Sequence, residues 1–133
     1  MKKMLIVEDN YLSAEGIEKN IDWETLNAEI IHVCYNGTSA IEAMKKEPAD
    51  LIISDIEMPD LDGISMSRQA LEINPMVKII LISAYDKFEY ARRALLLGAL
   101  DYIEKPLDYA YLIQKVKNAF ALMEKEQKNL QLL

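Results

Sequence analysis

Five short runs rich in Leu, Ile and Val set the tightest limit on what this chain can fold into. They are MLIV (Met4 to Val7), IIHV (Ile30 to Val33), LIIS (Leu51 to Ser54), KIILIS (Lys78 to Ser83) and LDYI (Leu100 to Ile103). A strand open to water on one face alternates polar and apolar residues, whereas continuous apolarity means that both faces are covered, as in a parallel sheet between helices. Helical spacing fills the intervals: Ala14, Ile17 and Ile21; Ala40, Ile41 and Met44; Ile64, Ser67 and Leu71; Phe88, Ala91 and Leu95. Punctuation agrees with this, since Asn36-Gly37 precedes the second helix, Asn74-Pro75 closes the third and Gly98 ends the fourth. A fifth helix opens at an Asp108 N-cap and carries Leu112, Ile113, Val116, Ala119, Phe120 and Met123 on one stripe. Alternation of this kind predicts an α/β, doubly wound (βα)5 sandwich with right-handed crossovers.

The 133 residues, 51% of them hydrophobic, suffice for one domain with an ordinary core. Residues 1–122 are read as that domain. Residues 123–133 are read as an extension of the last helix, or a linker toward an output domain outside the sequence. A heptad-like series (Leu112, Ala119, Glu126, Leu133 with Val116, Met123, Leu130) continues into it. The net charge of −7 argues against a nucleic-acid surface, and acidic clusters instead favour a divalent cation. Cys34, alone in its type and set in an apolar run, is read as a buried, reduced thiol of a cytoplasmic protein. The opening MKKMLIVEDN meets acidic residues too soon for a signal peptide or membrane span.

Ligand sites of doubly wound sheets lie beyond the carboxyl ends of the strands. Those ends offer Glu8 and Asp9 after the first strand, Asp55 after the third, Ser83 after the fourth and Lys105 followed by Pro106 after the fifth. Taken singly, each reads more readily as a cap, turn or loop residue. Together they concentrate chemistry at one edge. Carboxylates about 4 Å apart repel by roughly 4 kcal/mol per pair at an effective dielectric near 20. A hard, oxygen-seeking cation such as Mg2+ offsets this with few protein ligands, and Lys105 brings a second positive charge. A phosphoryl group reaching Asp55 is then neutralised from two sides, and Asp55 is placed to attack it as a carboxylate nucleophile, with Ser83 donating to a phosphoryl oxygen.

These residues resemble the receiver domain of bacterial two-component response regulators. The resemblance covers about Lys3 to Leu122 and rests on VEDN, SDIEMPDLDG, LISAY and DYIEKP in order. It implies a flavodoxin-like fold with a five-stranded parallel sheet of order 2-1-3-4-5. It further implies that Asp55 is the phosphoacceptor, that Glu8 and Asp9 are the acidic pair, and that the Glu57 backbone carbonyl completes a Mg2+ site. In that pattern Asp9 and Asp55 ligate directly and Glu8 acts through water. Ser83 and Tyr102 match the switch pair, Lys105 matches the family lysine, and Lys105–Pro106 is similar to a bond usually cis. Glu57 and Tyr85 flank the site where bulk obstructs an attacking water. The chain departs in having Glu where the family more often has Asp, and Ser where it more often has Thr.

The implied activity is a phosphorylation switch rather than a metabolic enzyme. The implied output surface is the fourth helix, fifth strand and fifth helix, where Tyr90, Arg92, Arg93 and Asp101 are candidates for charge pairing across a homodimer. The expected donor is phosphohistidine on a partner sensor histidine kinase, because His32 reads as a strand residue and no nucleotide-binding glycine loop is present. SAYDKFEYARRALLLGALDYIEKP and IDWETLNAE resemble receivers attached to AraC-type helix-turn-helix regulators, so DNA is expected only through an output domain. Alternatives are a stand-alone receiver or docking module, a small phosphatase with an aspartyl nucleophile, and a flavodoxin-like cofactor binder. The last needs a phosphate-cradling loop where this chain has EDNY.

Overall fold

The computed structural model describes residues 1–84 and 88–132, with Phe88 in its backbone only. Tyr85 and Leu133, both named above, lie outside the described residues. Each apolar run forms a strand, and a helix follows each: β1 (Lys2–Val7), α1 (Tyr11–Lys19), β2 (Ala28–Cys34), α2 (Gly37–Lys46), β3 (Leu51–Asp55), α3 (Gly63–Ile73), β4 (Lys78–Ser83), α4 (Phe88–Leu97), β5 (Asp101–Glu104) and α5 (Tyr109–Gln131). The strands pair in parallel in the order β2-β1-β3-β4-β5, as expected.

Successive residues of each inner strand feed opposite faces of the sheet, which is why continuous apolarity was needed. Leu5, Val7, Ile52, Ile79 and Leu81 pack beneath α2, α3 and α4 with Met44, Ile64 and Ala70. Met4, Ile6, Leu51, Ile53, Ile80 and Ile82 pack on the other face with Ile17 of α1 and Leu112, Val116 and Phe120 of α5. Burying each such side chain contributes about 1.5–3 kcal/mol, so the two faces hold every inner strand in register.

Local caps fix where the helices begin. Asn10, Asn36, Asp62 and Asp108 each accept a backbone N–H from the first turn of α1, α2, α3 and α5. The first helix stops sooner than its spacing indicated: α1 ends at Lys19, and the buried Ile21 belongs to the following turn. There Trp23 is buried as well, its indole N–H donating to the Ile17 carbonyl at 3.2 Å. Continuity of the apolar stripe past a helix end misled the boundary.

Two further expectations fail on exposure. The α4 stripe assigned to Ala91 and Leu95 is not the buried one. Ala94 is buried, while Leu95 and Leu96 are 75% and 74% exposed. Three consecutive leucines satisfy several helical faces, and packing on the sheet chose among them. His32 lies exposed rather than inside a covered strand, because β2 forms one edge of the sheet. The register shifts between Met4 and Leu5, so Ile31 bulges, a device that blunts an edge against further pairing.

Candidate functional site

The carboxyl ends of β1, β3, β4 and β5 converge at one edge of the sheet. Past Val7, the Glu8 N–H still donates to the Cys34 carbonyl at 2.9 Å, so Glu8 leaves the sheet at a fixed point. Its side chain turns inward, and Oε1 accepts the Asn10 N–H at 3.1 Å. Asp9 stays exposed. Asp55 is the last residue of β3 and is only 7% exposed. One carboxylate oxygen from each of Glu8, Asp9 and Asp55 lies within 4.8 Å of the others.

Lys105 enters this cluster from the end of β5. Its Nζ stands 2.9 Å from Glu8 Oε2 and 3.2 Å from Asp55 Oδ2. Its backbone N–H donates to the Ser83 carbonyl at 2.8 Å, and the Lys105–Pro106 bond is cis. Burial pushes the Glu8 carboxyl upward from its ordinary value, against the pull of the Lys105 ammonium. Burial also pulls Lys105 down, but the Glu8 and Asp55 carboxylates more than offset it and the net direction is up. The ammonium therefore remains charged at neutral pH.

Ser83 is fully buried at the end of β4. Tyr102, in β5, is half-buried and packs against the core beneath α2, α3 and α4. Glu57 follows β3 by two residues, and its Oε1 is buried without a hydrogen-bond partner among the described residues. A cavity of about 470 Å³ opens beside it, lined also by Asp9, Met58, Asp62, Tyr90 and Arg93. The sequence places Tyr90 and Arg93 only on the output surface, and nothing in their local pattern marks them as lining one cavity with Asp9.

Backbone ties close the loop after Asp55. The Ile56 N–H donates to Ile82 at 2.9 Å, and the Gly63 N–H donates back to Ile56 at 2.7 Å. A Cβ on Gly63 would collide with the Asp55 carbonyl oxygen, so glycine is required for this approach. Farther along the loop, Asp60 accepts the Gly37 and Thr38 N–H groups of α2 at 3.3 and 3.2 Å. Sequence reasoning missed this role because the two segments lie more than twenty residues apart and share no pattern.

The donor set suits a hard dication. Three carboxylates cluster, two of them paired with one ammonium, every candidate ligand atom is oxygen, and a further buried carboxylate oxygen on Glu57 is left over. Magnesium's preference for a few carboxylate oxygens plus water fits that composition, whereas softer metals favour nitrogen and sulfur.

The family model for the response regulator receiver domain matches residues 4–117, most of the chain. This chain belongs to the response regulator receiver family. The receiver is 29% identical over 126 residues to the transcriptional regulatory protein YesN of Bacillus subtilis, covering 95% of this chain and 34% of that protein. It therefore spans about a third of that relative's length. Among solved structures, the receiver domain of AraT, a response regulator from Geobacillus stearothermophilus, superposes with a TM-score of 0.88 at 34% identity, over 95% of this chain and 98% of the other. A two-component transcriptional regulator AraC from Clostridium phytofermentans gives 0.81 at 27% identity, over 97% and 99% of the two chains. The resemblance to receivers of AraC-type regulators thus holds.

The α4-β5-α5 face of the receiver differs in one respect from expectation. Of Tyr90, Arg92, Arg93 and Asp101, only Arg92 is exposed. Its guanidinium pairs within the chain with Glu89 at 3.2 Å, and Asp101 pairs with Lys115 at 3.2 Å. Arg92 and Asp101 thus each have an ion-pair partner within the chain. Leu95 and Leu96 are the exposed large apolar residues of α4 among the described residues. Among the described residues, no helix is long and apolar enough to cross a membrane.

Proposed function

We propose that this receiver is a phosphorylation-dependent switch in which Asp55 takes a phosphoryl group from phosphohistidine on a partner sensor kinase. The observation that carries the reading is the position of Asp55, nearly buried, with Lys105 at 3.2 Å and two further carboxylates within reach of one cation. Glu8, Asp9, Asp55 and the Glu57 carbonyl would hold Mg2+. When bound, that ion supplies charge neutralisation for the phosphoryl oxygens.

The chain's own residues perform the rest. An Asp55 carboxylate oxygen attacks phosphorus, forming a P–O bond as the P–N bond of the donor breaks. The imidazole nitrogen departs with the bonding electron pair and is left neutral by a proton from solvent. Lys105 stabilises the charge gathering on the phosphoryl oxygens, and the buried site keeps competing water scarce. Ser83 then shifts to donate to a phosphoryl oxygen and Tyr102 turns inward, changing the α4-β5-α5 surface that controls dimerisation or an output domain.

The receiver acts only on itself, both in gaining the group and in losing it by hydrolysis, in the cytoplasm. The relatives named above support a transcriptional output joined through the end of α5. Incubation with a small acyl phosphate and Mg2+, followed by intact mass, tests the reading. One phosphoryl adduct is expected on the parent and none on Asp55→Ala. An adduct that persists on Asp55→Ala refutes it, and turnover of a phosphomonoester favours the phosphatase reading instead.

A further inference from the structure

We propose that Asp60 is a positioning residue for the metal site, holding the loop that carries Glu57 against the N-terminus of α2. The proposal rests on the reading of the Glu57 carbonyl as a metal ligand. Residues 56–62 run between β3 and α3 without regular structure. Their ends are fixed by the Ile56 and Gly63 backbone bonds and by Asp62, which caps α3 by accepting the Ser65 N–H at 2.8 Å. Between those ends, the Asp60 carboxylate spans to another element, with Oδ1 on the Gly37 N–H and Oδ2 on the Thr38 N–H.

α2 does not need Asp60 as its cap. Asn36 already accepts the Ser39 N–H at 2.8 Å. Asp60 takes the two first-turn donors that Asn36 leaves open, and anions are favoured there by the helix dipole. Shape agrees with charge. Gly37 has no Cβ, and one built on it would meet the Leu61 carbonyl oxygen, so the loop backbone seats directly on the helix end. Hydrogen bonds from the Thr38 side chain and backbone hold the Asp60 carboxyl down to about 2, so it is ionised throughout the neutral range.

The span from Asp60 back to Glu57 is three residues, and it includes Pro59, whose ring fixes φ, and the buried Met58. Little freedom remains in it. Fixing Asp60 therefore restricts the peptide plane between Glu57 and Met58, whose oxygen is the proposed ligand. Groups that orient a ligand in this way typically change metal affinity about 10- to 100-fold when removed.

Calorimetric titration with Mg2+ of the parent, Asp60→Ala and Asp60→Asn tests the proposal, together with phosphorylation rates by a small acyl phosphate across Mg2+ concentrations. Asp60→Ala is expected to raise the Mg2+ Kd about tenfold. Asp60→Asn, which keeps one acceptor oxygen and the side-chain shape, should raise it less. At saturating Mg2+ both variants should phosphorylate at the parent rate, a split that a general structural lesion does not produce. An unchanged Kd in Asp60→Ala, with amide exchange at Gly37 and Thr38 showing the tether lost, overturns the proposal. So does a rate that stays low at saturating Mg2+ in Asp60→Asn. A parent that binds no Mg2+ refutes the metal reading itself, which separates the two failures.

Discussion

The Lys105 ammonium lies 2.9 Å from the Glu8 carboxylate, a residue 97 positions away in the chain, and so stands nearer to Glu8 than to Asp55. The extra methylene of Glu over Asp gives the carboxylate the reach to make this contact. One cation thus serves two buried acids, and its removal leaves both without an ion-pair partner among the described residues.

Replacing Lys105 by Met should lower stability without metal by about 3 kcal/mol, the usual cost of breaking a buried pair from one side. Added Mg2+ should restore more stability to Lys105→Met than to the parent, because the ammonium no longer opposes a second cation in the cluster. Urea unfolding with a chelator and with Mg2+ measures both effects. Equal stability of the two proteins in chelator would show that Glu8 and Asp55 do not depend on Lys105.

Gly63→Ala should destabilise by about 3 kcal/mol, at the upper end for overpacking, because the added Cβ meets backbone of Asp55 and Ile56 and not the tip of a side chain. Backbone there moves only by displacing the end of β3, so phosphoryl uptake at Asp55 should fall as well. Denaturant midpoints and the intact-mass assay report the two losses separately.

Cys34 is buried, and desolvation pushes its thiol from 9.0 up to about 11. The folded state disfavours ionisation, so this thiol's contribution to stability is complete below about pH 9 and is lost as pH rises toward about 11. At pH 8 iodoacetamide should alkylate the folded protein far more slowly than the urea-unfolded chain. Equal rates would mean that the thiolate forms in the native state.

Much of this architecture is readable from the chain because its causes are local. The runs at Met4, Leu51 and Lys78 specify strands covered on both faces, and Asn36, Asp62 and Asp108 mark helix starts through a bond to an amide only two or three residues away. The position of Glu8, Asp9, Asp55, Ser83 and Lys105 at strand ends follows once those strands are known, since parallel order puts all their carboxyl ends on one edge. Local pattern fails where several solutions satisfy it equally. The leucines at 95–97 allow more than one buried face for α4, and Ile21 continues a helical stripe in a chain that has already turned.

What the sequence alone determined is the kind of layered sheet, its helices and the residues gathered at its carboxyl edge, because periodicity and capping act over a few residues. Tertiary structure decided which partner each charge took: Lys105 on Glu8 as well as Asp55, Arg92 on Glu89, Asp101 on Lys115, and Asp60 on the amides of α2. An ion pair or hydrogen bond depends on distance in space to within about an ångström, and only the packed chain sets that distance between residues far apart in sequence.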